Sequence, residues 1–166
     1  MATVVMSIEG VLTDAPHEGN LLSCESSGNG RTLYRMIRDA SRVLLISSDP
    51  SKERVKAWLA RERLSRYADV HCYPTDSMLS YTNWKVQHVN DLIGVGHHIA
   101  FYIDSDPRAI QTALEAGVGA MLVAYPAVLP GRSSHEHTYS PWYDLVDSIE
   151  QQNLLRATKG VEEDDG

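Results

Sequence analysis

A chain of 166 residues, 43% hydrophobic and 22% charged, has room for one domain with a sizeable core. Its net charge of −7 disfavours nucleic acid as an obligatory partner, because backbone binding relies on clustered Lys and Arg. Two cysteines, Cys24 and Cys72, exclude a disulfide framework, and no apolar run is long enough to span a bilayer.

The chain opens on Val4-Val5-Met6-Ser7-Ile8, whose β-branched bulk predicts a strand over 4–8 that breaks at Gly10 and Thr13-Asp14. Residues 15–31, rich in Gly, Ser and Asn, predict a loop with a short hairpin around Leu21 to Cys24, and Gly28-Asn29-Gly30 reads as a turn. Leu33, Met36, Ile37 and Ala40 recur at helical spacing over 33–40. Val43-Leu44-Leu45-Ile46 is apolar throughout, as expected of a strand covered on both faces of a parallel sheet. Ser47-Ser48-Asp49-Pro50 follows, with Ser48 or Asp49 expected to cap a helix running to about Leu64 and burying Val55, Trp58 and Leu59.

Residues 70–73 predict a short strand closed by Pro74. The next helix is expected to start at a Thr82 or Asn83 cap, turn Trp84, Val89, Leu92 and Ile93 inward, and stop at Gly94. A strand over 99–103 ends in Asp104-Ser105-Asp106-Pro107 and leads to a helix lined by Ile110, Ala113 and Leu114. A last strand covers 120–124, a loop 125–140, and a helix capped at Ser140-Pro141 runs to about Arg156. Alternating strands and helices predict an α/β fold, a Rossmann-like three-layer sandwich with a mainly parallel central sheet. Residues 1–157 form its single domain, and the acidic stretch 158–166 is expected as a solvated, disordered tail. With no signal-peptide pattern at Met1-Ala2-Thr3, a cytoplasmic location is expected.

In such a sheet ligands sit beyond the carboxyl ends of the strands. That rule gathers Ser7 and Glu9, Ser47 and Ser48, Asp76 or Ser77, and Asp104, Ser105 and Asp106 at one crevice, with Lys85 near the same edge. Carboxylates there suit a hard cation such as magnesium, and hydroxyls with a lysine suit phosphate oxygens.

These strand ends resemble the motifs of the haloacid dehalogenase superfamily, most of whose members are magnesium-dependent phosphohydrolases. The family's first motif is a strand followed by Asp-x-Asp-Gly-[Thr/Val]-Leu-x-Asp, and here the chain reads Ser7-Ile8-Glu9-Gly10-Val11-Leu12-Thr13-Asp14. Ser47 ends the strand matching the second motif, Lys85 matches the third, and Tyr102-Ile103-Asp104-Ser105-Asp106 matches the fourth. The resemblance covers 4–124 in order and inserts no cap domain. It implies substrate contacts from Ser47 or Ser48, a phosphate-facing Lys85, and a magnesium ligand at Asp104.

The departures decide the expected chemistry. The family's attacking aspartate is replaced by Ser7, a hydroxyl that needs an adjacent base to become a nucleophile. Its acid/base aspartate is replaced by Glu9, which moves the carboxyl by one methylene, and a shift of about 1 Å can cost on the order of a hundredfold in rate. Ser7 also removes an anionic metal ligand, weakening magnesium. The expected protein is therefore a scaffold that has lost aspartyl-phosphate catalysis and binds a phosphorylated ligand or a partner protein. The alternatives are a metal-dependent hydrolase using Glu9 and Asp104, and an oligomeric or assembly subunit binding through residues 125–142. Asp106 reads as a helix cap, His97-His98 and His135-Glu136-His137 read as surface histidines, and Cys24 has no basic neighbours to activate it.

Overall fold

The computed structural model describes residues 2–14, 20–124, 147, 149–151, 153–155 and 157–158. Five strands form one all-parallel sheet: β1 (Thr3–Ser7), β2 (Arg42–Ser47), β3 (Asp69–Cys72), β4 (Ile99–Asp104) and β5 (Gly119–Leu122). Their spatial order is β3-β2-β1-β4-β5. Four helices connect them: α1 (Gly28–Ala40), α2 (Lys52–Arg61), α3 (Tyr81–Gly94) and α4 (Pro107–Glu115). The expected three-layer α/β sandwich is the observed one.

Alternation along the strands sends side chains to two separate cores. Val4, Met6, Val43, Leu45 and Ile103 pack with Tyr34 of α1 and with Val55, Trp58 and Leu59 of α2. Val5, Leu44, Ile46 and Tyr102 pack with Val89 and Leu92 of α3 and with Ile110 and Ala113 of α4. Burial of both faces explains why β2 is apolar without interruption. The chain runs outward from β1 to β3, then returns to place β4 on the other side of β1. The carboxyl ends of β1 and β4 therefore flank the point where strand order reverses, where α/β sheets form their crevice.

Several local expectations are corrected. Leu21–Ser23 is a 3-10 turn, not a hairpin: the Asn20 side chain caps it, and Leu21 N–H reaches across to Asp49 Oδ2 at 2.9 Å. Gly28-Asn29-Gly30 is the first turn of α1, started by Ser27 Oγ accepting from Gly30 N–H at 2.8 Å. That early start changes the buried face of α1. Gly30 lies against the Val11–Leu12 backbone and Tyr34, one turn on, is wholly buried, while Met36 is 70% exposed. The cap of α2 is Ser51, not Ser48 or Asp49, so Pro50 precedes the helix. The cap of α3 is Ser80, whose side chain accepts from Asn83 N–H, so Thr82 and Asn83 lie inside the first turn. Leu114 on α4 and Ile93 on α3 face outward.

Asp106 caps α4 as expected, accepting from Arg108 N–H at 3.0 Å, and Pro107 follows at the first helical position. Residues recorded between 147 and 158 are helical, with Ile149 buried. The expected Ser140-Pro141 cap, the 125–142 binding segment, His135 and His137, and all but the first residue of the 158–166 tail lie outside the described residues. No helix among the described residues is long and apolar enough to cross a membrane.

Candidate functional site

The first loop of the site is built by Gly10. Its φ of +79° belongs to the left-handed region open to glycine, and it lets the chain turn directly after β1. The amides of Val11, Leu12 and Thr13 then converge on the Ile8 carbonyl, and Gly10 N–H donates to Thr13 Oγ1 at 3.0 Å. This compact turn holds Ser7 and Glu9 at the end of β1, both buried. Ser7 Oγ donates to the Glu9 carbonyl at 3.3 Å. The hydroxyl is thus engaged with its own strand end, and it also neighbours the Tyr81 hydroxyl.

The Glu9 side chain turns into a hydroxyl cage. Ser47 Oγ at the end of β2 donates to Oε1 at 2.6 Å, and Tyr81 OH at the start of α3 donates to Oε2 at 3.2 Å. Burial pushes the Glu9 carboxyl above its ordinary range, against the pull of Ser47, the Glu9 and Ser48 N–H groups and Tyr81. The same burial, with Glu9 and Asp104 close by, drives the Tyr81 phenol well up, so that it serves as a proton donor. Ser47 and Ser48 are brought to the site, though both address Glu9: one through its hydroxyl, the other through its backbone.

Lys85 lies one helical turn beyond Tyr81 on the same face of α3 and is 4% exposed. Its Nζ is 2.9 Å from Asp104 Oδ2, 3.1 Å from Asp104 Oδ1 and 3.4 Å from Asp106 Oδ2. Burial alone would lower the Lys85 pKa; the two aspartates outweigh it and raise it, so the ammonium stays charged. Asp104 also accepts from Tyr102 OH at 2.6 Å and from Asp106 N–H at 3.0 Å. Asp106 accepts from Thr82 Oγ1 at 2.5 Å; burial would raise its pKa, but Lys85, Thr82 and Arg108 N–H lower it. Asp106 is therefore both the helix cap and a counterion of Lys85.

Beyond these groups opens a cavity of about 370 Å³, lined by Glu9, Tyr81, Thr82, Lys85 and Asp106 with Arg108, Glu150 and Asn153 at its rim. The donor set does not fit a magnesium ion. Magnesium needs an octahedron of oxygen ligands, usually waters with one or two carboxylates. Here the Lys85 ammonium takes both oxygens of Asp104 and one of Asp106, and Ser7 adds only a neutral hydroxyl. No group of three His, Cys, Asp or Glu poised to hold a metal occurs among the described residues.

The structure thus brings Ser7, Glu9, Ser47, Lys85 and Asp104 to one strand edge, and leaves Asp76 and Ser77 on an exposed or half-buried turn after β3. Sequence reasoning missed Tyr81 and Tyr102. Tyr102 shares a strand face with Asp104 two residues on, and Tyr81 precedes Lys85 by four, so the spacing carried both. Asp49 was expected as a cap and is instead a buried tie, held bidentate by Arg54 and capping the Leu21 turn. Burial pushes the Cys72 thiol up to about 11 and raises Cys24 as well, which keeps both thiols protonated.

No protein-family model and no curated protein matches this chain. Among solved structures, it is similar to a chain of the Pnkp1/Rnl/Hen1 RNA repair complex at a TM-score of 0.63 and 15% identity, covering 75% of this chain and 42% of that one. A second structure of the Pnkp1/Rnl/Hen1 complex gives a TM-score of 0.64 at 15% identity, covering 76% of this chain and 47% of the other. The chain spans less than half the length of those neighbours, and the likeness is one of fold.

Proposed function

We propose that this chain is a haloacid dehalogenase-like scaffold that has lost aspartyl-phosphate transfer and binds a ligand or partner protein at its strand-end crevice. One observation carries the reading: Lys85 is neutralised by Asp104 and Asp106, while the position of the attacking carboxylate holds a buried serine. Phosphoryl transfer needs an activated nucleophile and cationic groups that collect the phosphoryl charge. Here Ser7 Oγ donates to a carbonyl, and Lys85 already has two anions. Magnesium must compete with the lysine for Asp104.

What remains is a polar recess whose walls are fixed by buried hydrogen bonds. A small phosphorylated ligand entering it meets Arg108, while the Tyr81 and Thr82 hydroxyls, whose protons go to Glu9 and Asp106, offer lone pairs to a donor on a partner side chain. The structural neighbours are chains of a multi-protein assembly, which supports the partner-binding form of the proposal. The hydrolase reading with Glu9 as base is less favoured, because both carboxyl oxygens accept hydroxyl bonds and burial favours the protonated form. The test is turnover of a generic phosphomonoester by the native chain and by Ser7→Asp, with and without magnesium. The proposal expects no phosphate release by the native chain in either condition. Robust, magnesium-dependent turnover that Glu9→Ala or Asp104→Ala abolishes would sink it.

A further inference from the structure

About one turn beyond Lys85 on α3, His88 meets His71 of β3. The two imidazoles are hydrogen-bonded, Nδ1 of His71 and Nε2 of His88 lying 2.6 Å apart with the rings at 71°. The other nitrogen of His71, Nε2, lies 3.3 Å from Asp69 Oδ2, and Lys52 Nζ holds the second oxygen of Asp69 at 2.7 Å. A carboxylate beside one ring nitrogen favours the proton there and leaves the other as a lone-pair donor, the second-sphere arrangement of histidines that bind metals. The His71 side chain is 23% exposed, so the pair is reachable from solvent.

We infer that His71 Nδ1 and His88 Nε2 form a two-imidazole site for a late first-row divalent ion, copper or nickel before zinc. The inference is independent of the crevice and of its proposed function. Two nitrogens at about 2.0 Å from a metal stand roughly 2.9 Å apart at a right angle and roughly 3.3 Å apart at the tetrahedral angle. The tetragonal geometry of copper and nickel therefore opens the pair less than zinc does, and the general affinity order points the same way. The His88 proton moves to its own Nδ1 on binding, which frees Nε2 for the ion. Water fills the remaining positions. Two protein ligands make this an open, exchangeable site and not a structural cage.

The site carries its own reporter. The Trp84 indole stacks on His88, with centroids 4.9 Å apart and planes within 8°. Copper or nickel titrated into the native chain should quench tryptophan fluorescence saturably, and calorimetry should give about one ion per chain. Paramagnetic resonance of the copper form should show hyperfine coupling from two imidazole nitrogens. His71→Gln and His88→Gln should each weaken binding at least tenfold, with circular dichroism confirming that each variant is folded. Asp69→Asn should weaken it by roughly tenfold, within the range typical of such second-sphere losses. Trp84→Phe should keep the calorimetric isotherm and lose most of the quench. If the native chain gives no saturable signal, or if His71→Gln and His88→Gln both bind copper as the native does, the inference is wrong. His71 sits on the half-exposed edge strand, so His71→Gln decides the matter should His88→Gln fail to fold.

Discussion

Lys85→Met removes the ammonium and keeps an unbranched chain of similar length in a buried place. Asp104, wholly buried, then loses contacts at 2.9 and 3.1 Å, and Asp106 loses one at 3.4 Å. Removing one partner of a buried ion pair costs about 3–5 kcal/mol, because the other charge stays behind uncompensated. Asp104 keeps the Tyr102 hydroxyl and the Asp106 N–H, which places the expected loss near the lower bound, about 3 kcal/mol. For a chain of this size that corresponds to a fall in Tm of roughly 6–12 °C. The loss should also depend on pH. In the native chain the Asp106 pKa is lowered: burial alone would raise it, but Lys85, Thr82 and Arg108 N–H outweigh that effect. A depressed carboxylate stabilises above its unfolded value and loses that contribution as pH falls through its folded value. The native chain should therefore lose stability in acid faster than the variant does, narrowing the gap between them. Urea unfolding of Lys85→Met, Asp104→Asn and the double variant, at neutral pH and below the ordinary 3.8 of Asp106, at about pH 3, measures all of this. The double variant should recover part of the loss, giving a coupling energy well above zero. A variant within about 1 kcal/mol of native at neutral pH, or additive single effects, would refute the view of Lys85 as the locked counterion of the site.

Two further outcomes follow from burial at the β1 end. Burial lifts the Glu9 carboxyl above its ordinary 4.5, so the folded chain keeps a proton that the unfolded chain gives up. Stability from this site is complete below the unfolded value and declines as pH rises toward the folded one, a decline that Glu9→Gln should remove in unfolding curves taken from about pH 4.5 to neutrality. A Cβ on Gly30 would meet Val11 O at 2.5 Å and Leu12 atoms at 2.8 Å, all backbone, whereas one on Gly28 meets nothing within 4 Å. Gly30→Ala should therefore cost about 1–3 kcal/mol, as overpacking does, and Gly28→Ala should be neutral or stabilising in the same melts.

The sheet was legible because its strands are apolar runs that both faces bury, and Val43 to Ile46 could hardly be anything else. The helix caps were less so, since Ser, Thr and Asp crowd each helix start and only the backbone geometry selects one. Ser51 and Ser80 won over Asp49 and Thr82 because the latter two are committed elsewhere, to Leu21 and Arg54 and to Asp106. Half of the expected α1 face holds, since Leu33 and Ile37 pack against the core while Met36 and Ala40 are exposed, and a periodicity that counts apolar side chains does not see Gly30 packed on backbone. In the site, the convergence of Ser7, Glu9, Ser47 and Asp104 followed from strand ends, and that of Lys85 from its place near the start of a helix. Their pairing did not: which carboxylate takes Lys85, and which hydroxyls take Glu9, depends on how α3 crosses β1 and β4. Tyr81 and Tyr102 were passed over although their spacing to Lys85 and Asp104 placed them, because both look like ordinary aromatic core.

Either Lys85 or a metal ion neutralises Asp104. A crystal structure of the native chain grown with excess magnesium and a phosphate mimic decides between them. Lys85 Nζ is expected within hydrogen-bonding distance of both Asp104 and Asp106, with no cation between Ser7 and Asp104. A six-coordinate ion bound by Asp104, with Lys85 turned toward the phosphate mimic, would contradict it.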